Sequence, residues 1–322
     1  MGHRIAIVGA TGLVGEKILQ VLEEHKVTVD NLFLFATGKG KKEEFFGNEK
    51  IEVYPIDNSK IPTVDFAFFS AGVEIPRQYA PLFAEKGGIV IDNSPAFREE
   101  DNTPLVIPEI NPDAIKDNDR IIANPNCSTI ITLMAVYPIY KKWGVKRMVA
   151  STYQAVSGAG RDSLLDLDKK INPPKTFPFQ IDKNLIPHIG KPLDNGFTTE
   201  ERKMAIETRK ILSDNNIKVS ATCVRVPVRF SHSISLTLEL ERNFNLDEIR
   251  ETLKSFAGII VFDDPDSGKY PHPLLAENRD EVFVGRIRKD PIFKNGISMW
   301  VVGDNIRKGA ATNAVQIAEL FM

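Results

Sequence analysis

Two kinds of apolar run predict a mixed α/β chain, with a parallel sheet in its first third and a mostly antiparallel sheet after it. The early runs are short, continuously apolar and alternate with helical stretches, as expected of strands covered on both faces. The later runs are longer and richer in β-branched residues. At about 150 residues per domain, the 322 residues make about two domains.

The first set opens with a strand over residues 5–8, then a helix over 14–24 and strands over 32–35 and 66–69, with a weaker one over 51–54. A helix over 77–85 and strands over 89–91 and 121–123 complete it. Residues 128–143 read as one helix with a break expected near Pro138, because proline removes a backbone donor. Strands over 149–154, 218–226, 233–241, 282–287 and 297–302 then build the antiparallel sheet. The proline-rich stretch 171–195 has little periodicity and reads as a long surface loop. Residues 309–322, rich in small side chains, form a closing helix. The expected division is 1–126 plus 303–322 against 127–302.

Composition removes several function classes. With 41 basic and 43 acidic side chains the net charge is −2, so no broad electrostatic argument favours nucleic acid or an acidic membrane. Cys127 and Cys223 make no disulfide framework, and no CxxC pair suggests zinc, so no metal is expected. The longest apolar runs fall short of the ~18 residues of a membrane helix. A strand only a few residues from the start leaves no room for a secretory signal, so a cytoplasmic protein is expected.

Gly9-Ala10-Thr11-Gly12-Leu13-Val14-Gly15 lies at the first β–α junction with GxxGxxG spacing. Glycines there let the backbone turn tightly and let a pyrophosphate approach the helix N-terminus, so a Rossmann-type nucleotide-binding domain is expected. A purely structural turn is the other reading. About 20 residues on, where a carboxylate would select NAD, the chain reads Ala36-Thr37-Gly38-Lys39-Gly40-Lys41-Lys42, with no acid until Glu43. A hydroxyl and lysines suit a 2′-phosphate, which favours NADP over a merely solvated basic loop.

The second centre is Asn124-Pro125-Asn126-Cys127-Ser128-Thr129, which follows a strand and opens a helix. The first turn of a helix stabilises a thiolate, the nucleophilic form of cysteine. Cys223 sits in a strand and fits a buried filler; Cys127, among loop and cap residues, does not. Ser157-Gly158-Ala159-Gly160 follows a strand and admits close approach of a ligand. Arg225 ends one strand and His232 begins the next, and the prolines and break between them let the two converge. His232 is read either as an acid/base or as a satisfied structural residue. A nicotinamide site and an activated thiol point to oxidation of an aldehyde through a thioester, which water, phosphate or coenzyme A then takes. The residues alone stop at that reaction class.

In combination these blocks resemble the aspartate-β-semialdehyde dehydrogenases nearly end to end. Further matching blocks are Phe69-Ser70-Ala71-Gly72, Ile91-Asp92-Asn93-Ser94, Ala96-Phe97-Arg98, Thr152–Gly160 with Gln154 at its centre, and Glu200-Glu201-Arg202-Lys203. Thr222–Pro227, His232-Ser233, Val284–Arg288 and Asp304-Asn305 close the set. The resemblance implies a catalytic and dimerisation domain after the nucleotide domain. It also implies reversible, phosphate-dependent oxidation of aspartate semialdehyde to β-aspartyl phosphate, on the route to lysine, threonine, methionine and isoleucine, in a homodimer or tetramer. Cys127 would be the nucleophile, His232 the acid/base, Gln154 a substrate-placing residue and Asn126 its support. Arg225 would clamp the substrate α-carboxylate, Glu200 would meet its amino group, and Arg98 and Lys203 would hold phosphate. Ser70, Ala71, Gly72, Asn93, Ser157, Gly158 and Asn305 would join Gly9, Thr11, Gly12, Leu13, Val14, Thr37 and Lys39 around NADP. Lys39 stands where the family often has arginine, which loosens the expected NADP selectivity.

Taken alone, Glu200 and Lys203 read as an exposed i,i+3 ion pair on a helix beginning near Thr198-Thr199, where Thr199–Arg202 lacks the glutamate of a full capping box. N-acetyl-γ-glutamyl-phosphate reductase, whose cysteine typically follows Asn-Pro-Gly, is the nearest rival. An inactive nucleotide-binding relative is the other.

Overall fold

The computed structural model describes residues 2–36, 43–168 and 173–322. Thr37 and Lys39 lie outside the described residues. Two compact units result, one of residues 1–125 and 310–322, the other of residues 126–309.

The first unit contains β1 (His3–Val8), α1 (Leu13–Glu24), β2 (Val29–Ala36), β3 (Glu43–Phe46), β4 (Glu49–Pro55) and β5 (Phe66–Phe69). It continues with α2 (Glu74–Glu85), β6 (Ile89–Asp92), β7 (Ile121–Ala123) and a closing helix, Thr312–Glu319. The strand order is β3-β4-β2-β1-β5-β6-β7. All neighbours pair in parallel except β3, which runs antiparallel to β4 at the edge. Leaving β3 aside, this is the doubly wound order in which the chain reverses direction across β1. Burial on both faces explains why the strands read as unbroken apolar runs: Ile5, Ile7 and Ile91 pack with Ile18 and Leu22 of α1 and with Ala314 and Val315 of the closing helix, while Ala6, Val8 and Phe69 pack with Tyr79 and Phe83 of α2. The closing helix is shorter than the expected 309–322 because residues 307–311 form a wide π turn before it.

The second unit contains α3 (Cys127–Trp143), β8 (Val145–Gln154), α4 (Arg161–Asp168), α5 (Thr199–Leu212), β9 (Lys218–Arg225) and β10 (His232–Leu240). Then come α6 (Leu246–Lys254), β11 (Ile259–Val261), α7 (Pro273–Ala276), β12 (Val282–Asp290) and β13 (Gly296–Gly303). The sheet order is β11-β12-β13-β10-β8-β9. Its three central pairings are antiparallel and the two outer ones parallel.

Two local expectations change. The α3 helix runs through Pro138 unbroken. It is buried over most of its circumference, from Ser128 to Ile139, and that packing offsets the missing backbone bond. The N-cap of α5 is Thr198, not Thr199. Glu201 then stands at the third helical position, and the capping box is complete: Thr198 accepts from the Glu201 N–H, and Glu201 accepts from the Thr198 N–H. Among its described residues, the proline-rich stretch 171–195 forms no helix or strand, although Ile181 and Ile186 are buried.

Candidate active site

In the first unit the glycine turn joins β1 to α1. Gly9 has φ +93°, and a Cβ there would lie 2.3 Å from the Ser70 carbonyl oxygen. A Cβ on Gly15 would lie 2.3 Å from the Gly9 carbonyl oxygen and 2.8 Å from Ala10 Cα. These two glycines therefore let β1, the turn and α1 close on one another. Gly12 is the N-cap of α1, and no side chain caps it. The first-turn amides of Leu13 and Val14 have no intrahelical acceptor, which is the arrangement that receives a phosphate.

Ser70-Ala71-Gly72 leaves the carboxyl end of β5, and Asn93 leaves that of β6. The Asn93 N–H donates to the Phe69 carbonyl (2.9 Å), and its Oδ1 accepts from Asn124 Nδ2 (2.8 Å). The expected nucleotide residues of this unit thus gather where the neighbouring strands β1, β5 and β6 end, as a dinucleotide site on a parallel sheet requires. Arg98 belongs to this unit as well. It is buried, donating from Nε to the Asn124 carbonyl (2.9 Å) and from Nη2 to the Asn93 carbonyl (2.7 Å).

In the second unit Cys127 is the first residue of α3, behind the N-cap Asn126. Asn126 Oδ1 accepts from the N–H groups of Ser128 (2.9 Å) and Thr129 (3.3 Å), so this side chain closes the helix end on which the thiol sits. His232, the first residue of β10, is fully buried and places Nε2 3.3 Å from Cys127 Sγ. Its Nδ1 lies 3.0 Å from the Ala155 backbone nitrogen. A backbone N–H can only donate, so Nδ1 carries the lone pair and the ring proton resides on Nε2, facing the sulfur. Burial, with the Arg225 charge nearby, lowers the His232 pKa to about 3, so the ring is neutral.

Glu200 is buried, which removes the exposed ion-pair reading that Glu200 and Lys203 alone suggest. It accepts from Asn126 Nδ2 (2.9 Å), Gln154 Nε2 (3.2 Å) and Lys203 Nζ (3.1 Å). Burial alone would raise its pKa, but the Lys203 charge and these hydrogen bonds outweigh it and hold the group at about 2. Gln154 is locked in place, its Oε1 accepting from Thr152 Oγ1 (3.0 Å).

Arg225 is buried, and burial lowers its pKa. Nη1 donates to the Ala155 carbonyl (2.6 Å), while Nε has no partner among the described residues. A buried guanidinium N–H left without an acceptor is costly, and a carboxylate would satisfy it. Cys223 is the inert thiol expected: buried in β9, with its pKa pushed up to about 12 by burial.

Ser157, Gly158 and Asn305, expected around the nucleotide, lie in this second unit and brace the His232 segment. Asn305 donates from Nδ2 to Ser157 Oγ (3.0 Å) and accepts from the Ser231 N–H (2.9 Å). A Cβ on Gly158 would lie 3.0 Å from Arg225 Nη1 and 3.4 Å from His232 Nε2. Two contributors escaped the sequence reading. The Ala155 N–H carries no side-chain signal at all. Glu207 does carry one: it is a carboxylate on the same helical face as Met204 and Ile211, and it accepts from the Asn126 N–H at 2.7 Å.

Among the described residues no group of three or more His, Cys, Asp and Glu side chains could hold a metal ion, and no helix is long and apolar enough to cross a membrane. A cavity of about 400 Å³ in the second unit, bordered by Ser235, Tyr270, Arg286, Met299 and Trp300, involves none of the residues around Cys127.

Comparison with known proteins places both units. Residues 4–118 match the family described as "Semialdehyde dehydrogenase, NAD binding domain", and residues 136–308 match "Semialdehyde dehydrogenase, dimerisation domain". The chain is 52% identical to an aspartate-semialdehyde dehydrogenase of Aquifex aeolicus, with 100% of this chain and 98% of the relative covered. It is 43% identical to that of Bacillus subtilis, with 99% and 97% covered. The crystal structure of aspartate semialdehyde dehydrogenase II from Vibrio cholerae superposes with a TM-score of 0.93 at 43% identity, covering 100% of this chain and 98% of that one. A second structure of that protein, described as complexed with ASA, agrees equally well.

Proposed function

The chain belongs to the aspartate-semialdehyde dehydrogenase family, and from that premise we propose that it interconverts aspartate β-semialdehyde and β-aspartyl phosphate, with NADP and inorganic phosphate as co-substrates. In the biosynthetic direction, toward lysine, threonine, methionine and isoleucine, it reduces the acyl phosphate. The observation that carries the reading is the Cys127–His232 pair at the α3 N-terminus, 3.3 Å apart and surrounded by Gln154, Glu200 and Arg225.

Cys127 adds as thiolate to the aldehyde carbon. The Nε2–H of neutral His232 donates first to the sulfur and then to the oxyanion that the addition creates. Arg225 takes the substrate α-carboxylate on the guanidinium edge whose Nε lacks an acceptor among the described residues, which makes a planar fork the right donor and lysine a poor one. Glu200, ionised at neutral pH, receives the α-ammonium group, and Gln154 sets the distance between substrate and thiol. A bound nicotinamide nucleotide supplies the two-electron acceptor. With its carbon-bound hydrogen lost as hydride to that acceptor, the oxyanion collapses to a Cys127 thioester, which phosphate attacks, releasing the thiolate. Lys203 and Arg98 are assigned to phosphate.

Gly9, Thr11, Gly12, Leu13, Val14, Ser70, Ala71, Gly72 and Asn93 are assigned to the nucleotide, and the uncapped α1 N-terminus supports a pyrophosphate there. The NADP preference rests on Thr37 and the lysines from Lys39 onward. Glu43, the first acid after them, is paired with Lys50. Ser157, Gly158 and Asn305 remain assigned to the cofactor side of the reaction. A homodimer built through the second unit is supported by the family match over residues 136–308 and by the half-exposed Val149 and Tyr153 of β8, and sedimentation tests it. The reductase rival acting on the N-acetyl-γ-glutamyl substrate is not favoured, since full-length relatives carry the aspartate-semialdehyde name.

The test is reduced-nucleotide formation from aspartate semialdehyde, with NADP or NAD, in the presence and absence of phosphate. Turnover that requires phosphate and has the lower Michaelis constant for NADP is expected. Turnover indifferent to phosphate would remove the roles of Arg98 and Lys203. An equal or lower constant for NAD would remove the NADP preference.

A further inference from the structure

Helix α5 buries three carboxylates, Glu200, Glu201 and Glu207, on the face that also carries Met204, Thr208 and Ile211. A buried carboxylate is costly unless hydrogen bonds compensate it, so each one asks what it holds. Glu201 completes the capping box and accepts from the Cys223 N–H (3.0 Å). Glu200 and Glu207 are seven residues apart, two turns along one face. Both reach the same residue, Asn126. Glu200 Oε1 takes its side-chain Nδ2 at 2.9 Å, and Glu207 Oε2 takes its backbone N–H at 2.7 Å. With its Oδ1 on the Ser128 and Thr129 amides, Asn126 is held at its backbone nitrogen and at both polar atoms of its side chain. The next residue is the nucleophile. The Gly309 backbone also packs against it, so closely that a Cβ on Gly309 would lie 3.0 Å from Cys127 Cβ.

We propose that Glu207 is a positioning residue for Cys127: by accepting the Asn126 backbone N–H it fixes the direction in which the thiol leaves the start of α3. The part of Glu207 that does this is an acceptor oxygen at the end of a glutamate-length side chain, two turns from Glu200. The proposal rests on Cys127 being the nucleophile of the reaction above, and it is tested first by a readout that needs no substrate.

That readout is the rate of Cys127 alkylation by iodoacetamide, followed by peptide mass across pH 6–9 in wild type, Glu207→Gln and Glu207→Leu. The kcat and KM for aspartate semialdehyde are measured beside it. Gln keeps an acceptor oxygen at the same reach; Leu keeps only the bulk. Misplacing a reacting group by an ångström costs about 10²-fold, so the Leu variant is expected to lose about that much in kcat. Its KM should stay within a factor of about two and its alkylation should slow by about tenfold. The Gln variant is expected to stay near wild type in all three.

A folded Leu variant with wild-type alkylation and kcat, altered only in melting temperature, would overturn the proposal. So would a Gln variant as impaired as Leu, because then the charge and not the accepted hydrogen bond would matter. Should the Leu variant fail to fold, Glu207→Asp, one methylene shorter, takes its place, and wild-type alkylation in it would equally overturn the assignment. A wild-type enzyme that alkylates readily yet turns over no aspartate semialdehyde would count against the proposed substrate, while the alkylation series would still decide the role of Glu207.

Discussion

The glycine turn of the first unit owes its shape to side chains that are missing, whereas the Cys127 centre of the second owes its shape to buried polar side chains that hold one another. Around Gly9 and Gly15, backbone packs against backbone at distances that leave no room for a Cβ, and the groups offered to a ligand are main-chain amides. Around Cys127, by contrast, Asn126, Gln154, Glu200, Lys203 and Glu207 form a connected set of hydrogen bonds, with His232 fixed by one backbone amide. A backbone site tolerates changes in the chemistry of its neighbours but not in their volume. A side-chain network instead needs each member to keep its donor or acceptor, since deleting one leaves another buried and unpaired.

Removing the thiol should give the largest effect and the sharpest contrast. Cys127→Ala is expected to cut kcat by at least about 10³-fold while leaving nucleotide affinity within a factor of about two, because the thiol is not among the residues assigned to the nucleotide. Kinetics and fluorescence titration of the reduced nucleotide check it, and near wild-type turnover would end the nucleophile assignment. Gly15→Ala should show the reverse pattern. The added Cβ would meet Gly9 O and Ala10 backbone atoms, which cannot step aside. A loss of about 2–4 kcal/mol in stability is expected, with nucleotide binding weakened and Cys127 alkylation preserved. Unchanged melting and nucleotide affinity would show that the turn has slack the structure does not display.

Arg225→Lys tests the side-chain side of the contrast more gently. Lysine keeps the charge but not the planar edge, so a rise of about 10- to 100-fold in the KM for aspartate semialdehyde is expected, with a smaller change in kcat. A variant that lowered only kcat would shift Arg225 from substrate anchor to support for His232, whose field it already shapes.

The same contrast explains what the sequence discloses. A glycine turn is a spacing, and spacing survives in one dimension, so the nucleotide end is legible from Gly9, Gly12 and Gly15 and their place after the first strand. Cys127 is legible for a similar reason, since an N-cap asparagine before it and hydroxyl residues after it mark a helix start. For Glu200 and Lys203 the residues alone suggest an exposed pair, because an i,i+3 pair looks the same on paper whether its face is exposed or buried; only the resemblance points to the site, and only the packing of Met204 and Ile211 shows the face to be buried. The capping box was missed by one residue, as two consecutive threonines offer two possible caps. The lock on His232 is invisible in sequence because its donor is the main-chain amide of an alanine. Pro138 was over-read: proline does weaken a helix, but a helix buried on nearly every side has packing to offset it.

The smallest predicted effect is a pH dependence whose sign differs between the units. In the second unit His232 is held at about 3 and Glu200 at about 2, both below their ordinary values of 6.5 and 4.5. Between the lowered and the ordinary pKa the unfolded chain binds the extra proton, so each group makes stability rise with pH, over about 3–6.5 for His232 and 2–4.5 for Glu200. Asp92 of the first unit behaves oppositely. Burial pushes it up to about 6 from 3.8, against the hydrogen bonds it accepts from the Ser94 N–H (2.9 Å) and Ser94 Oγ (2.8 Å) and the charges of Arg98 and Arg77. Here the folded state keeps the proton that the unfolded chain has lost, so stability falls as pH rises from 3.8 to about 6 and is level above that. Asp92→Asn keeps an acceptor for the Ser94 N–H and removes the titration. The variant is therefore expected to gain on the order of 1 kcal/mol over wild type at pH 7.5 and nothing at pH 4, read as the difference in melting temperature at the two values. An advantage that is the same at both pH values would mean that Asp92 does not titrate in this window and that its carboxylate is ionised throughout, held by Ser94 and the two arginines rather than opposed by its burial.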